Sequence, residues 1–149
     1  MSIQELESTC GANGKAIISE LKAVQKQNPD LVILKDTEQG LSVNFKGPDI
    51  EVELMLMRGA VGDENAETLE SKLQFITKKV YLDNGERNRV SFLLRNAQFQ
   101  PVPGQHGCFR LAFGENAPAK FDKAHLTMLR EAVVDMAKIT KAARNRSWK

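Results

Sequence analysis

Residues 121–144 read FDKAHLTMLREAVVDMAKITKAAR, and within them Leu126, Leu129, Val133, Met136 and Thr140 recur at spacings of three and four. That spacing stacks side chains along one side of an α-helix, so the stretch is predicted to be a long amphipathic helix with Asp122 as its N-cap. A stripe of this kind needs a surface to cover. The segments LSVNF (41–45), IEVEL (50–54) and FRLAF (109–113) alternate apolar and polar residues, as half-buried strands do, and each offers one apolar face to such a helix. Helix against antiparallel sheet is therefore the expected core, and α+β the expected class.

Upstream of the sheet, residues 15–26 carry Ile17, Ile18, Leu21 and Val24 on one side and are predicted to be helical. Asn28, Pro29 and Asp30 end that helix, because a proline pushes the residue before it out of the α region. LVIL (31–34) then reads as a buried strand, and EQG (38–40) as the turn into 41–46. Gly47, Pro48 and Asp49 form a hairpin connection, so 41–46 and 50–58 are expected to pair antiparallel. Strict alternation would place Leu41, Val43, Phe45, Ile50, Val52, Leu54 and Leu56 on one face, with Met55 and Met57 on the other.

Residues 63–82 point two ways. Ala66, Leu69, Leu73, Ile76 and Val80 have helical spacing, with Glu64, Glu67 and Glu70 early and Lys78 and Lys79 late, as the helix dipole favours. Residues 74–82 are rich in strand formers and run into Asp83, Asn84 and Gly85, a strong hairpin signal. The helix is preferred for 64–75, with Asn84 and Gly85 as its stop or as a following turn. A strand over 89–99 with Val90, Phe92 and Leu94 inward, a loop at PVPG (101–104) and a last strand over 108–113 complete the chain. The expected order is α-β-β-β-α-β-β-α: an antiparallel sheet of about five strands packed by N-terminal, middle and C-terminal helices. With 149 residues and no linker or repeat, 1–149 is expected to be one domain.

Hydrophobic residues make up 42% of the chain and charged ones 27%, which is ordinary for a folded domain and unlike a disordered one. The N-terminal MSIQELESTCGANGK has neither a basic start nor an apolar stretch, and no apolar run approaches the length of a membrane span, so a cytoplasmic location is expected. Cys10 and Cys108 are far apart and do not form a secreted-type framework, which fits two thiols in a reducing compartment. The net charge of +2 hides a segregation: residues 1–70 hold 6 basic and 13 acidic side chains, and residues 71–149 hold 15 and 6. Mixing of the halves across a sheet would cancel this. Separation would leave a basic face for an acidic partner.

No pattern of residues for catalysis stands out. Gly11 and Gly14 before Lys15 lack the spacing, the following hydroxyl and the preceding strand of a phosphate loop. His106 lies beside Cys108, with His125 elsewhere, but a metal site or thiol nucleophile needs further ligands or a base at set spacing. Glu51 and Glu53 share a strand face, as paired acid–base carboxylates would, and solubilising charges on an exposed face explain them as well. No cofactor and no metal are expected, and the chain is read as non-enzymatic.

Two stretches suggest macromolecular contacts. Leu54, Met55, Leu56 and Met57 are consecutive apolar residues in a strand otherwise half polar, and thioethers make adaptable binding surfaces. Helices covering both faces at the end of that strand would bury them instead. Lys138, Lys141, Arg144, Arg146, Trp148 and Lys149 form a basic tail with one aromatic, the residue types that meet phosphates and stacked bases, although cations also suit a helix C-terminus.

The strand-like VSFLL (90–94) and the apolar spacing of Leu126, Leu129, Val133 and Ala137 in the last helix resemble the corresponding parts of type III secretion chaperones. The resemblance is in element order and covers most of the chain without a shared motif. Those chaperones are acidic small homodimers that hold an unfolded segment of an effector, whereas this chain is slightly basic and its 100–107 connection is longer than a hairpin turn. The resemblance implies a homodimeric, bacterial-type small protein that binds another protein or peptide. The expected function is a protein-binding module, chaperone-like or an inhibitor- or immunity-like adaptor, acting through an apolar sheet face or edge. Nucleic-acid binding by the basic half is the alternative, and no membrane partner is expected.

Overall fold

A computed structural model describes residues 12–38, 40–47, 50–58, 68–71, 82–104, 108–112 and 122–146, with side chains as far as 143. Its elements are α1 (Ala12–Gln27), β1 (Val32–Asp36), β2 (Leu41–Lys46), β3 (Glu51–Arg58), β4 (Thr68–Ser71), α2 (Asn84–Asn96), β5 (Gln100–Pro101), β6 (Phe109–Ala112) and α3 (Lys123–Arg146). The strands form one antiparallel sheet of six in the order β1-β2-β3-β4-β6-β5, so the α+β class read from the sequence is the class observed.

α3 buries Leu129, Val133, Met136 and Thr140, and α1 buries Ile17, Ile18, Leu21 and Val24. Both sets are the stripes that the spacing predicts. Apart from the polar Thr140, they join Leu41, Val43, Phe45, Val52, Leu69, Phe109 and Leu111 in one hydrophobic core, which defines the inner face of the sheet. Asp122 caps α3 as expected, its Oδ1 accepting the His125 backbone N–H at 3.0 Å.

Three expectations are corrected. Residues 68–71 are strand β4 and not part of a helix over 64–75: Leu69 lies inward opposite Met57 and Leu111 while Glu70 faces outward, an alternation of period two. The rest of that segment lies outside the described residues.

The strand over 89–99 is instead helix α2. Asp83 and Glu86 form a reciprocal capping box, with Asp83 Oδ1 accepting the Glu86 N–H at 2.8 Å and Glu86 Oε1 accepting the Asp83 N–H at 3.0 Å. Asn84 and Gly85 therefore open a helix and do not close a hairpin. Val90 and Leu94 are buried, as either period allows, but Phe92 is 62% exposed, which excludes the strand. The order is thus α-β-β-β-β-α-β-β-α, and the part of the family resemblance that rested on a strand at 90–94 falls away.

The third correction is one of register. Val43 pairs with Met55 and Asn44 with Glu53, so Leu54 is the extra residue of a β-bulge. Beyond it the strand is reversed: Met55 and Met57 turn inward, and Leu56, outside the core cluster, lies with Ser42 and Glu70 on the outer face.

The sheet order keeps β1–β3 on one side and β6 and β5 on the other, so the two halves of the chain are not interleaved within the sheet. No helix among the described residues is long and apolar enough to cross a membrane.

Candidate functional site

Both outer strands carry backbone groups that point away from the sheet, and their partners decide what can bind there. On β1, the Lys46 N–H bonds Leu31 O, so by alternation Val32 and Leu34 face outward. The Val32 N–H is taken by Asn28 O at 3.0 Å and the Leu34 N–H by Gln25 Oε1 at 2.7 Å, both supplied by α1 and the turn after it. On β5, the Val102 N–H bonds Cys108 O, which turns Phe99 and Pro101 outward. The Phe99 N–H is taken by Leu94 O at 2.9 Å, and Pro101 has none to give. At these positions no N–H is left to donate, and among the described residues no N–H bonds the outward carbonyls. Addition of a partner strand, which needs donors as well as acceptors, is disfavoured.

Helix α2 ends in a Schellman turn. The Phe99 N–H reaches Leu94 O, the Gln98 N–H reaches Arg95 O, and Gln98 occupies the left-handed region at φ 70°. Glycine usually takes that position, so a glutamine there is strained, a feature that concentrates at functional sites. Continuing the β5–β6 register by two residues would pair Gln98 with Ala112, but the turn carries Gln98 out of the ladder.

At this corner lies a groove of about 390 Å³. Gln100, Val102, Arg110 and Ala112 line it from the outer face, the alternation having turned all four the same way, with Gln98, Pro101, Pro103 and Leu111 completing the wall. The described part of its surface is mostly aliphatic, with one guanidinium and two carboxamides. That is the usual make-up of a binding site: apolar area for affinity and a few polar groups for orientation.

The outer face beside the groove is charged. Glu70 is shared by two guanidiniums, Arg110 Nη2 at 3.3 Å and Arg58 Nε at 3.7 Å, and the Cys108 Sγ lies 3.9 Å from its Oε1. Further along the sheet, the Asn44 amide donates to Ser42 Oγ at 3.0 Å and the Ser42 hydroxyl donates to Glu53, while Lys35 holds Glu51 at 2.6 Å. Glu51 and Glu53 are thus tied to different partners. At α3, Asp122 is held below the ordinary carboxylate range by the His125 backbone N–H, with the nearby imidazole adding to the effect.

Of the residues singled out in the sequence, Leu54, Met55, Leu56 and Met57 are each 1% exposed or less. They form no open surface, because the bulge turns both methionines into the core. Lys138 and Lys141 are exposed on α3, Arg144 and Arg146 lie at its end with side chains outside the description, and Trp148 and Lys149 lie outside it altogether. Cys10 and His106 are likewise outside the described residues, among which no group of three His, Cys, Asp or Glu side chains could hold a metal ion. The groove residues carried no signal beyond PVPG, which reads as a loop.

No protein-family model matches the chain, and neither does any curated protein or solved structure.

Proposed function

We infer that this chain is a non-enzymatic binding module for another protein, working through the outer-face groove at β5 and β6 and not through Leu54–Met57. The observation that carries the reading is the groove itself: about 390 Å³ with an aliphatic lining, oriented by Arg110, Gln98 and Gln100. A partner segment would be held by side chains set into that lining, since the adjoining margin lacks the donors for a strand ladder.

Selection from a peptide-display library on the immobilised full chain tests this. A consensus with apolar residues should be enriched and then lost on Val102→Asp, while Phe92→Ser on the exposed side of α2 leaves it intact. No enrichment over the bare support, or a consensus indifferent to Val102→Asp, overturns the reading.

Nucleic-acid binding keeps one observation in its favour. α2 places exposed Arg89 and Arg95 one turn to either side of exposed Phe92, with the Arg95 guanidinium 5.7 Å over the Phe109 ring, and cations beside an exposed aromatic are residue types that hold single strands. It requires salt-sensitive retention on single-stranded RNA that falls sharply in Phe92→Ala.

A further inference from the structure

Among the described residues of the groove wall Arg110 is the only cation, and it is incompletely matched. Its Nη2 meets Glu70 Oε1 at 3.3 Å, a single contact for a group with five N–H donors in a planar fork, and its side chain is 45% exposed. Glu70 is 12% exposed and also engages Arg58. Across the strands, Arg110 has Glu70 on one flank and Gln100 on the other, so a carboxylate stands on the β4 side and only an amide on the groove side. A guanidinium so placed favours a second carboxylate arriving from the groove and repels an ammonium.

Resting on the protein-binding reading above, we propose that the groove takes an extended segment of a partner protein in which an Asp or Glu is flanked by apolar residues. The apolar residues lie on Val102 and Ala112, and the carboxylate meets Arg110, with the Gln98 and Gln100 amides as additional donors. A peptide fits better than a small free acid because the outward carbonyls of Phe99 and Pro101 offer acceptors without donors, and peptide N–H groups match them. The strained Gln98 lines the same groove.

The test is fluorescence polarisation of labelled synthetic peptides with Leu-Asp-Leu, Leu-Asn-Leu or Leu-Lys-Leu cores, titrated with the full chain. The Asp peptide should bind about tenfold or more tightly than the Asn peptide, as charge-assisted hydrogen bonds allow, with the Lys peptide weakest. The gap should narrow with added salt. Arg110→Gln should erase it while the Asn peptide binds as before, and Arg110→Glu should turn the preference to Lys.

Thermal melts of the Arg110 variants control for the lost Glu70 contact, and Val102→Asn, uncharged and outside that cluster, should weaken all three peptides. Equal affinity for the Asp and Asn peptides overturns this inference and leaves the groove reading standing. Failure of all three to bind overturns the groove reading itself, and a small aryl carboxylate that binds as tightly as the Asp peptide overturns the choice of occupant.

Discussion

Replacing Gly40 by alanine should be among the most damaging single changes to this chain. The Thr37 N–H bonds Gly40 O at 2.9 Å to close the β1–β2 turn, and Gly40 has a φ of +149°, where side-chain-bearing residues are strained. A Cβ there would lie 2.0 Å from Met57 O, a backbone atom of β3 beside the Leu41–Met57 pair. No rotamer change relieves a contact with ladder backbone. Strain of this type costs about 1–3 kcal/mol, and displacing the ladder by more than an ångström forfeits one or two hydrogen bonds at about 1 kcal/mol each. A total of roughly 2–5 kcal/mol is a large share of a typical folding free energy of about 5–15 kcal/mol. Urea denaturation followed by circular dichroism measures it, with Gly104→Ala as the internal comparison. Gly104 also has positive φ, at +76°, but a Cβ there meets nothing within 4 Å, so only the left-handed cost of about 1–2 kcal/mol is expected. A Gly40→Ala loss below about 1 kcal/mol, or one no larger than that of Gly104→Ala, would refute the close-approach argument.

Other outcomes follow from the same geometry. Met55→Ala and Met57→Ala should each cost about 2–5 kcal/mol in chemical denaturation, as cavity-forming core changes do, whereas a loss under about 0.5 kcal/mol would return these methionines to the surface. Asp83→Ala removes one half of the capping box and should cost about 1 kcal/mol, read from the same melts. Gln98→Gly should raise stability by about 1 kcal/mol by relieving the left-handed strain, yet weaken binding of the Asp peptide; a simultaneous gain in both would deny Gln98 a part in the site. Asp122 has a folded pKa below its ordinary 3.8, so the stability it contributes is complete above that range and is lost as pH falls through the lowered value. Asp122→Asn, which keeps a capping side chain, should flatten the acid limb of a melting-temperature profile below about pH 4, and an unchanged limb would contradict the assignment.

The N-terminal half up to β3, together with α3, was legible because one period dominated each segment. Ile17, Leu21 and Val24 admit only a helix, and Leu41, Val43 and Phe45 only a strand. α2 was misread because residues 90 and 94 coincide in both periods, and only position 92 separates them. There the sequence offers a phenylalanine that the helix leaves in solvent, and the informative signal was the Asp83–Glu86 spacing of a capping box. The bulge at Leu54 was invisible for another reason: it changes no residue type, only which face each later residue meets. The groove depended on that kind of fine placement too, since a left-handed glutamine cannot be foreseen from an Ala-Gln-Phe sequence.

The absence of outward N–H donors at Val32, Leu34, Phe99 and Pro101 has a consequence for how copies of this molecule behave when concentrated. A pleated layer that can accept but not donate gives a neighbour's strand only half of a ladder, so fibril-like growth by accretion is disfavoured along these stretches. The hollow lined by Val102 and Ala112 therefore lies beside a stretch of rim that offers no full template for polymer growth. Along these stretches, contacts between copies have to run through side chains or through single carbonyl acceptors.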